Sequence, residues 1–387
     1  MASLKYALRF YAIQNFLDGN VFPAVCRFLS FFKRKGALPE APKRILFIGF
    51  SGLGDGIQML PIIKRLKERY PGSRLTVICL PRNRDAFELQ PFIHDKFVMS
   101  RSSLLLKLPL FILRNFRAYD LCVDAEANFR LAAIISFFLS KRTVGFSYKE
   151  GDWFYDASVK ARESEHGLVQ LASLLEPLGV KFMPKLVPLY TGQQHKKLID
   201  ARLRSLGINP KKDLLVGVHA FAEPTVAWRA YPKGQAVELV RRLRNDGCKI
   251  ALTGLSSDST TAKEVIGSLP DPTNVYDFSD LPADALFYLI KNYSLLISMN
   301  SSPRHIAAAE GVPLIALFGH QPPTQPDPFM PKKHVILYRP PKGHNHKSPE
   351  EAWAHGCAPE YMGQITVDEI HAAARKLLGR KVSRRKS

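Results

Sequence analysis

The chain has 387 residues, enough for two domains with cores of their own, and its 46% hydrophobic content excludes a disordered protein. Lysine and arginine number 55 against 34 aspartates and glutamates, and the resulting charge of +21 points to phosphates, anionic glycolipids or nucleic acid as partners. Five cysteines without pairing spacing (Cys26, Cys79, Cys122, Cys248, Cys357) exclude a disulfide scaffold, and no apolar run is long enough to span a membrane.

Residues 1–43 form a basic amphipathic extension in which Arg9, Arg27, Lys33, Arg34 and Lys35 alternate with Phe10, Tyr11, Phe16, Phe28, Phe31 and Phe32. Two short helices are expected, either lying on an anionic membrane surface or packed on the first domain. Gln14, Asn15 and Asp18 interrupt the apolar core that a signal peptide needs. The expected location is therefore the cytoplasm, and the membrane-surface reading of the extension adds peripheral contact at the inner face of the inner membrane.

The first domain is expected over residues 44–190. Ile45 to Phe50 reads as a strand, Ser51-Gly52-Leu53-Gly54-Asp55 as a loop, and Gly56 to Tyr70 as a helix. The glycines invite a dinucleotide fingerprint, which fails: Ser51 sits where Gly49 would require a glycine, and Ile57 where Gly52 would. The next strand, Arg74 to Leu80, ends in Pro81-Arg82 without the acid that grips a ribose, which argues against a nicotinamide dehydrogenase. Leu121 to Asp124 is a further strand, followed by Ala125, Glu126 and Arg130. Carboxylates at the carboxyl edge of parallel strands face the crevice where open α/β sheets bind ligands, so Asp124 and Glu126 either line a ligand site or cap structure there.

Met183 to Gln194, with Pro184, Pro188 and Gly192, reads as the linker to a second domain over residues 191–370. Its strands are expected at Leu214 to Val218, Ile250 to Leu252 and Leu295 to Ile297, with Thr253-Gly254 opening a polar loop. Asn300-Ser301-Ser302 should end the third of these strands. Ser302 is then the expected N-cap, Pro303 the first helical position, and Gly311 the stop before the strand Leu314 to Phe318. Hydroxyls of Ser301 and Ser302 beside Arg304 and His305 at a helix amino end describe a diphosphate seat, against the plainer reading of a β-α-β corner with a satisfied histidine. No Asp-x-Asp pair occurs, so the carboxylate pair of many metal-using sugar transferases is missing. His344, His346, His355 and Cys357 lie at irregular spacing, and no metal is expected there. Ile365 to Leu378 is expected as a closing helix that runs on into a basic tail over residues 371–387, whose Arg380, Lys381, Arg384, Arg385 and Lys386 are expected to be solvated.

Several of these stretches resemble the signature of glycosyltransferase family 9, the ADP-heptose:lipopolysaccharide heptosyltransferase family. Its Asp-Thr/Ser-Gly-x-x-His, Ala-rich helix, Gly-x-Pro and Phe-Gly-Pro-Thr pattern is matched by Asn300 to His305, Ala307 to Ala309, Gly311 to Pro313, and Phe318-Gly319. Asn300 replaces the usual Asp, Ser302 the usual Gly, and Gly319 to Thr324 is a stretched form of the last element. Gly54-Asp55 with Pro61, Asp124-Ala125-Glu126 with Arg130, and Arg229 beside Tyr231-Pro232 match the family elsewhere.

The resemblance implies an α/β protein of GT-B architecture, two Rossmann-like domains facing a central cleft. It implies an inverting, metal-independent transfer of a sugar, heptose leading, from a nucleotide diphosphate to a lipopolysaccharide-core-like or other glycan acceptor. Asp55 would be the catalytic base. Arg229, Thr253, Gly254, Asn300, Ser301, Ser302, His305 and Gly319 would bind the donor, and Gly54, Asp124, Glu126 and Arg130 the acceptor. No cofactor is implied, since ADP-heptose would be a substrate, and no nucleic acid is expected as a partner. The departure at Asn300 keeps open a nucleotide-binding relative altered in catalysis, and the charge keeps open a nucleic-acid-binding protein.

Overall fold

A computed structural model describes residues 16–100, 107–127, 129–147, 154–161, 165–221, 229–254, 259–319, 333–339 and 360–385. Short runs of aliphatic residues alternate with helices along the chain, and those of the inner strands are buried on both faces, as parallel strands covered by helices must be, while the edge strands are mostly half-buried. They build two six-stranded parallel sheets, one in each of two units, Met1–Val187 and Pro188–Ser387.

In the first unit the extension enters as a π-helical turn, Leu17–Val21, and helix α1, Phe22–Ser30. Then come β1 (Arg44–Gly49), α2 (Leu53–Arg69), β2 (Arg74–Cys79), the short α3 (Arg84–Phe87), β3 (Asp95–Val98) and α4 (Lys107–Arg114). They are followed by β4 (Tyr119–Asp124), α5 (Arg130–Leu139), β5 (Ser140–Phe146), β6 (Ala157–Val159) and α6 (Gly167–Ser173). The strand order is β3-β2-β1-β4-β5-β6, all parallel. One layer of the core joins Leu46, Ile48, Ile78 and Cys122 of the sheet to Leu108 of α4 and Ala132, Ile135 and Leu139 of α5.

Of the two readings of the extension, packing is observed for one face of α1: Cys26 and Leu29 bury against Ala133, Phe154 and Tyr155. The segment after α1 is tied down as well. Lys33 Nζ lies 3.1 Å from Asp156, a pair with almost no exposed side chain, and the same carboxylate accepts the Gly36 amide at 3.1 Å. Burial lowers the Lys33 pKa, and Asp156 works against that. Residues 1–15, where the first of the two expected helices falls, lie outside the described residues.

The second unit repeats the plan with α7 (Gln193–Ser205), β7 (Leu215–His219), α8 (Lys233–Asn245), β8 (Lys249–Leu252), α9 (Ser259–Gly267) and β9 (Val275–Asp277). It continues through α10 (Ala283–Lys291), β10 (Leu295–Met299), α11 (Ser302–Glu310), β11 (Leu314–Phe318), β12 (His334–Tyr338), the short α12 (Glu360–Gly363) and α13 (Val367–Arg385). The order β9-β8-β7-β10-β11-β12 is the first sheet's order again, with β7 in the place of β1. Gly217 of β7 is required by packing, because a Cβ there would stand 2.1 Å from the Tyr293 ring.

Two expectations are corrected. Ser301, extended at φ −153°, is the N-cap of α11, so Ser302 is the first helical residue and Pro303 the second. Proline is accepted there because no amide in the first turn has an intrahelical acceptor. The closing helix, expected over Ile365 to Leu378, runs instead as α13 from Val367 to Arg385, since lysine and arginine are good helix formers. Gly311 ends α11 at φ +71°, as its type predicts.

Candidate active site

In each sheet the chain reverses direction between its first and fourth strands, β1/β4 and β7/β10, and ligands of open α/β sheets bind outside the carboxyl ends at such a point. Some of the residues singled out from sequence lie at these two places and others on neighbouring elements.

At the first, β1 ends and Phe50 to Gly52 turn into α2. Asp55 stands in the first turn of α2, exposed, and its Oδ2 accepts the Gly52 amide at 2.9 Å. That bond holds the carboxylate at the helix amino end, whose dipole suits a negative charge. Gly54 is buried beneath it. The turn is anchored from β4: Glu126 Oε1 accepts the Phe50 amide, the Ser51 amide at 3.0 Å and the Ser51 hydroxyl at 3.1 Å. Asp124 in turn accepts the Glu126 amide at 3.0 Å and the Tyr155 hydroxyl at 2.9 Å. Burial pushes the Glu126 carboxyl up to about 7, with the Asp55 charge adding to it and the amides of the turn opposing. Burial likewise pushes Asp124 up to about 8.

These two carboxylates therefore engage the chain's own donors, and of the two readings of them the structural one describes their contacts. Arg130 is engaged too: its amide donates to Asp18 Oδ1 at 2.6 Å and its guanidinium to the Asp18 carbonyl at 2.7 Å. The partner is an acid of the extension, which the family signature does not contain.

At the second place, Asn300 and Ser301 follow β10 and lead into α11. Arg229 Nη1 approaches the Asn300 carbonyl at 3.5 Å, which sets a guanidinium beside the amino end of α11. Asn300, Arg304 and His305 are buried, with the Arg304 guanidinium 5.0 Å above the Phe318 ring. Ser301 and Ser302 stay half-buried at the helix mouth. From β8, Thr253 donates its amide to Val218 at 3.0 Å, and its hydroxyl lies 3.4 Å from His219 Nδ1, with Gly254 next to it. Burial lowers His219 to about 4, so it is neutral near pH 7. Gly319 ends β11 against Met362, where a Cβ would come within 3.0 Å of the sulfur. Arg229, Asn300, Ser301 and Ser302 are thus brought together, Thr253 and Gly254 lie one strand away across β7, and His305 is inside the helix packing. Trp228 and residues 320–332 fall outside the described residues, as do His344, His346, His355 and Cys357.

Sequence reasoning missed the parts that hold the first turn in place. Arg82 donates to the Phe50 carbonyl at 2.8 Å and the Ser51 carbonyl at 3.2 Å, and Asn83 to the Gly49 carbonyl at 3.0 Å. The one signal was their place directly after β2, next to β1. Tyr155, which seats Asp124, had none.

Comparison with known proteins agrees with the resemblance. Residues 113–353 match the family described as "Glycosyltransferase family 9 (heptosyltransferase)". The lipopolysaccharide core heptosyltransferase OpsX of Haemophilus influenzae is 25% identical over 319 residues, covering 77% of this chain and 85% of that protein. A family 9 glycosyl transferase structure from Veillonella parvula aligns with a TM-score of 0.76 at 19% identity, covering 89% of this chain and 99% of its own. The structure of Escherichia coli ADP-heptose lps heptosyltransferase II gives 0.69 at 17%, covering 87% and 99%. These likenesses establish the fold as GT-B, the architecture expected from the sequence.

Proposed function

Because the chain belongs to glycosyltransferase family 9 and is a glycosyltransferase, we propose that it moves a heptose from ADP-heptose to a hydroxyl of a lipopolysaccharide-core acceptor, with inversion and without a metal. The donor and acceptor follow from the relatives, one named for ADP-heptose and another for the lipopolysaccharide core. We place the reaction in the cytoplasm, with the acceptor carried by the inner leaflet of the inner membrane.

In this mechanism Asp55 takes the proton of the acceptor hydroxyl as its oxygen attacks the anomeric carbon. The bond from that carbon to the diphosphate breaks on the opposite face, and ADP leaves with the electron pair. Arg229 and the amino end of α11, with the hydroxyls of Ser301 and Ser302, meet the charge that develops on the departing diphosphate. Asn300, Thr253, Gly254, His305 and Gly319 shape the donor side around them, and Gly54 lets the acceptor approach Asp55. Asp124 and Glu126 act on the acceptor side by holding the turn, and Arg130 by holding the extension.

The observation that carries the reading is the exposed Asp55 carboxylate, held by the Gly52 amide at the carboxyl end of β1 in a chain of this family. The test is incubation with ADP-heptose and heptose-free lipopolysaccharide core in excess chelator. Release of ADP that requires both substrates, with inverted anomeric configuration in the product, is the expected result. Activity that disappears with chelator and returns with magnesium would assign the diphosphate to an ion and remove Arg229 from that role.

A further inference from the structure

The faces of α1 and α4 that do not bury in the first unit share an unusual composition. Both helices flank α5: α4 through the layer containing Leu108 and Leu139, α1 through Cys26 and Leu29 on Ala133. The contact is continuous through aromatic rings, since Phe116 just beyond α4 lies 6.5 Å from Phe138 of α5, and Phe137 and Phe138 pack on the α1 cluster. On the outside, Phe28, Phe31 and Phe32 project from the end of α1, and Leu110, Leu113 and Phe116 from α4 and its end, with Phe31 81% and Leu113 76% exposed. Single exposed apolar side chains are ordinary; six large ones on two helices that flank a third are a patch of the kind that marks an interaction site.

Charge identifies the partner. Residues 22–35, 107–117 and 130–139 contain no aspartate or glutamate. Arg27 and Arg34 lie exposed beside the α1 aromatics, and Lys107, Arg114 and Arg117 beside the α4 residues. Among the described residues no helix is long and apolar enough to cross a membrane. We propose that this face is a docking surface for an anionic lipid bilayer, in which the phenylalanines and leucines enter the interfacial layer and the arginines and lysines pair with lipid phosphates. The extension is then a structural wedge: its Cys26 side and its Lys33–Asp156 pair fix it to the unit, and its aromatic side meets the lipid. The surface stands independently of the proposed chemistry, because its residues are not those assigned to catalysis.

The test is co-flotation of the full chain with phosphatidylglycerol-containing vesicles and with phosphatidylcholine vesicles, across a salt series. Binding to the anionic vesicles that falls as salt rises is expected. The variant Phe31→Ser/Phe32→Ser/Leu113→Ser/Phe116→Ser, all at exposed positions, should keep its melting temperature and lose at least tenfold in binding. Arg27→Gln/Arg114→Gln should weaken binding more than Lys211→Gln/Lys212→Gln, which removes the same charge elsewhere. Vesicle binding unchanged in the apolar variant, or lost equally with either charge pair, would show attraction by net charge alone and overturn the proposal. Indifference to anionic vesicles at low salt would also overturn it, and self-association abolished by the apolar variant would then assign the face to a second copy of the chain.

Discussion

Replacing Glu126 is the perturbation that most directly probes how the catalytic turn is held. One carboxylate oxygen serves the Phe50 amide, the Ser51 amide and the Ser51 hydroxyl, so Glu126→Ala removes the acceptor of two backbone donors at once. Each such donor left unpaired in a buried place costs about 1–3 kcal/mol, and the loosened turn carries Asp55 with it. A misplacement on the order of 1 Å lowers turnover by about 100-fold. Glu126→Gln keeps the accepting oxygen and removes the titration, which isolates the electrostatic part. The folded carboxyl is raised to about 7 from an ordinary 4.5. A raised carboxylate binds its proton more tightly in the folded state. Its contribution is therefore greatest below the ordinary value and declines as pH rises from there through about 7. Two and a half pKa units correspond to about 3 kcal/mol, of which about 2–3 kcal/mol falls between pH 5 and pH 8. Urea unfolding at those two pH values should show Glu126→Gln gaining that much on the wild type at the higher pH, while Glu126→Ala is the less active of the two variants at both. A stability difference between Glu126→Gln and wild type that does not change with pH, or full turnover in Glu126→Ala, would refute this account of the turn.

Three further outcomes follow from named contacts. Gly145→Ala sets a Cβ 2.5 Å from the Tyr155 ring that seats Asp124, so thermal melting should show a loss of about 1–3 kcal/mol. Lys33→Met leaves the buried Asp156 without its closest cation. The cost should be about 3 kcal/mol, and limited proteolysis should open the segment between α1 and β1. Arg229→Ala removes the guanidinium beside α11, and calorimetric titration should find ADP bound about 10- to 100-fold more weakly with the melting temperature unchanged.

The two Rossmann units were legible because a parallel strand covered on both faces leaves a continuous apolar run, as at Leu46 to Ile48 and Leu295 to Ile297, punctuated by glycine and cap residues. The local parts of the site were legible for the same reason: Gly52 to Asp55 and Ser301 to Gly311 carry their own turn and helix-end chemistry. What was not legible depends on which strands become neighbours. Glu126 reaches Phe50 across 76 residues only because β4 pairs with β1, and Arg229 reaches Asn300 across 71 because β10 pairs with β7. The Arg130 bond to Asp18 spans 112 residues and involves the extension, which the family pattern, beginning at β1, does not contain, so no motif pointed to it. The one-residue shift at the start of α11 has a smaller cause: Ser301 and Ser302 are equally good caps by type, and only the extended backbone of Ser301 separates them.

The central claim is that Asp55 is the base of a heptosyl transfer. It is tested most directly by comparing wild type with Asp55→Asn in transfer from ADP-heptose to heptose-free lipopolysaccharide core, alongside ADP affinity measured on both proteins. The account predicts turnover by the wild type, a drop of roughly 100-fold or more in the variant as expected for loss of a general base, and the same affinity for ADP. Equal turnover by the two proteins would contradict it, as would a wild type that transfers nothing from ADP-heptose.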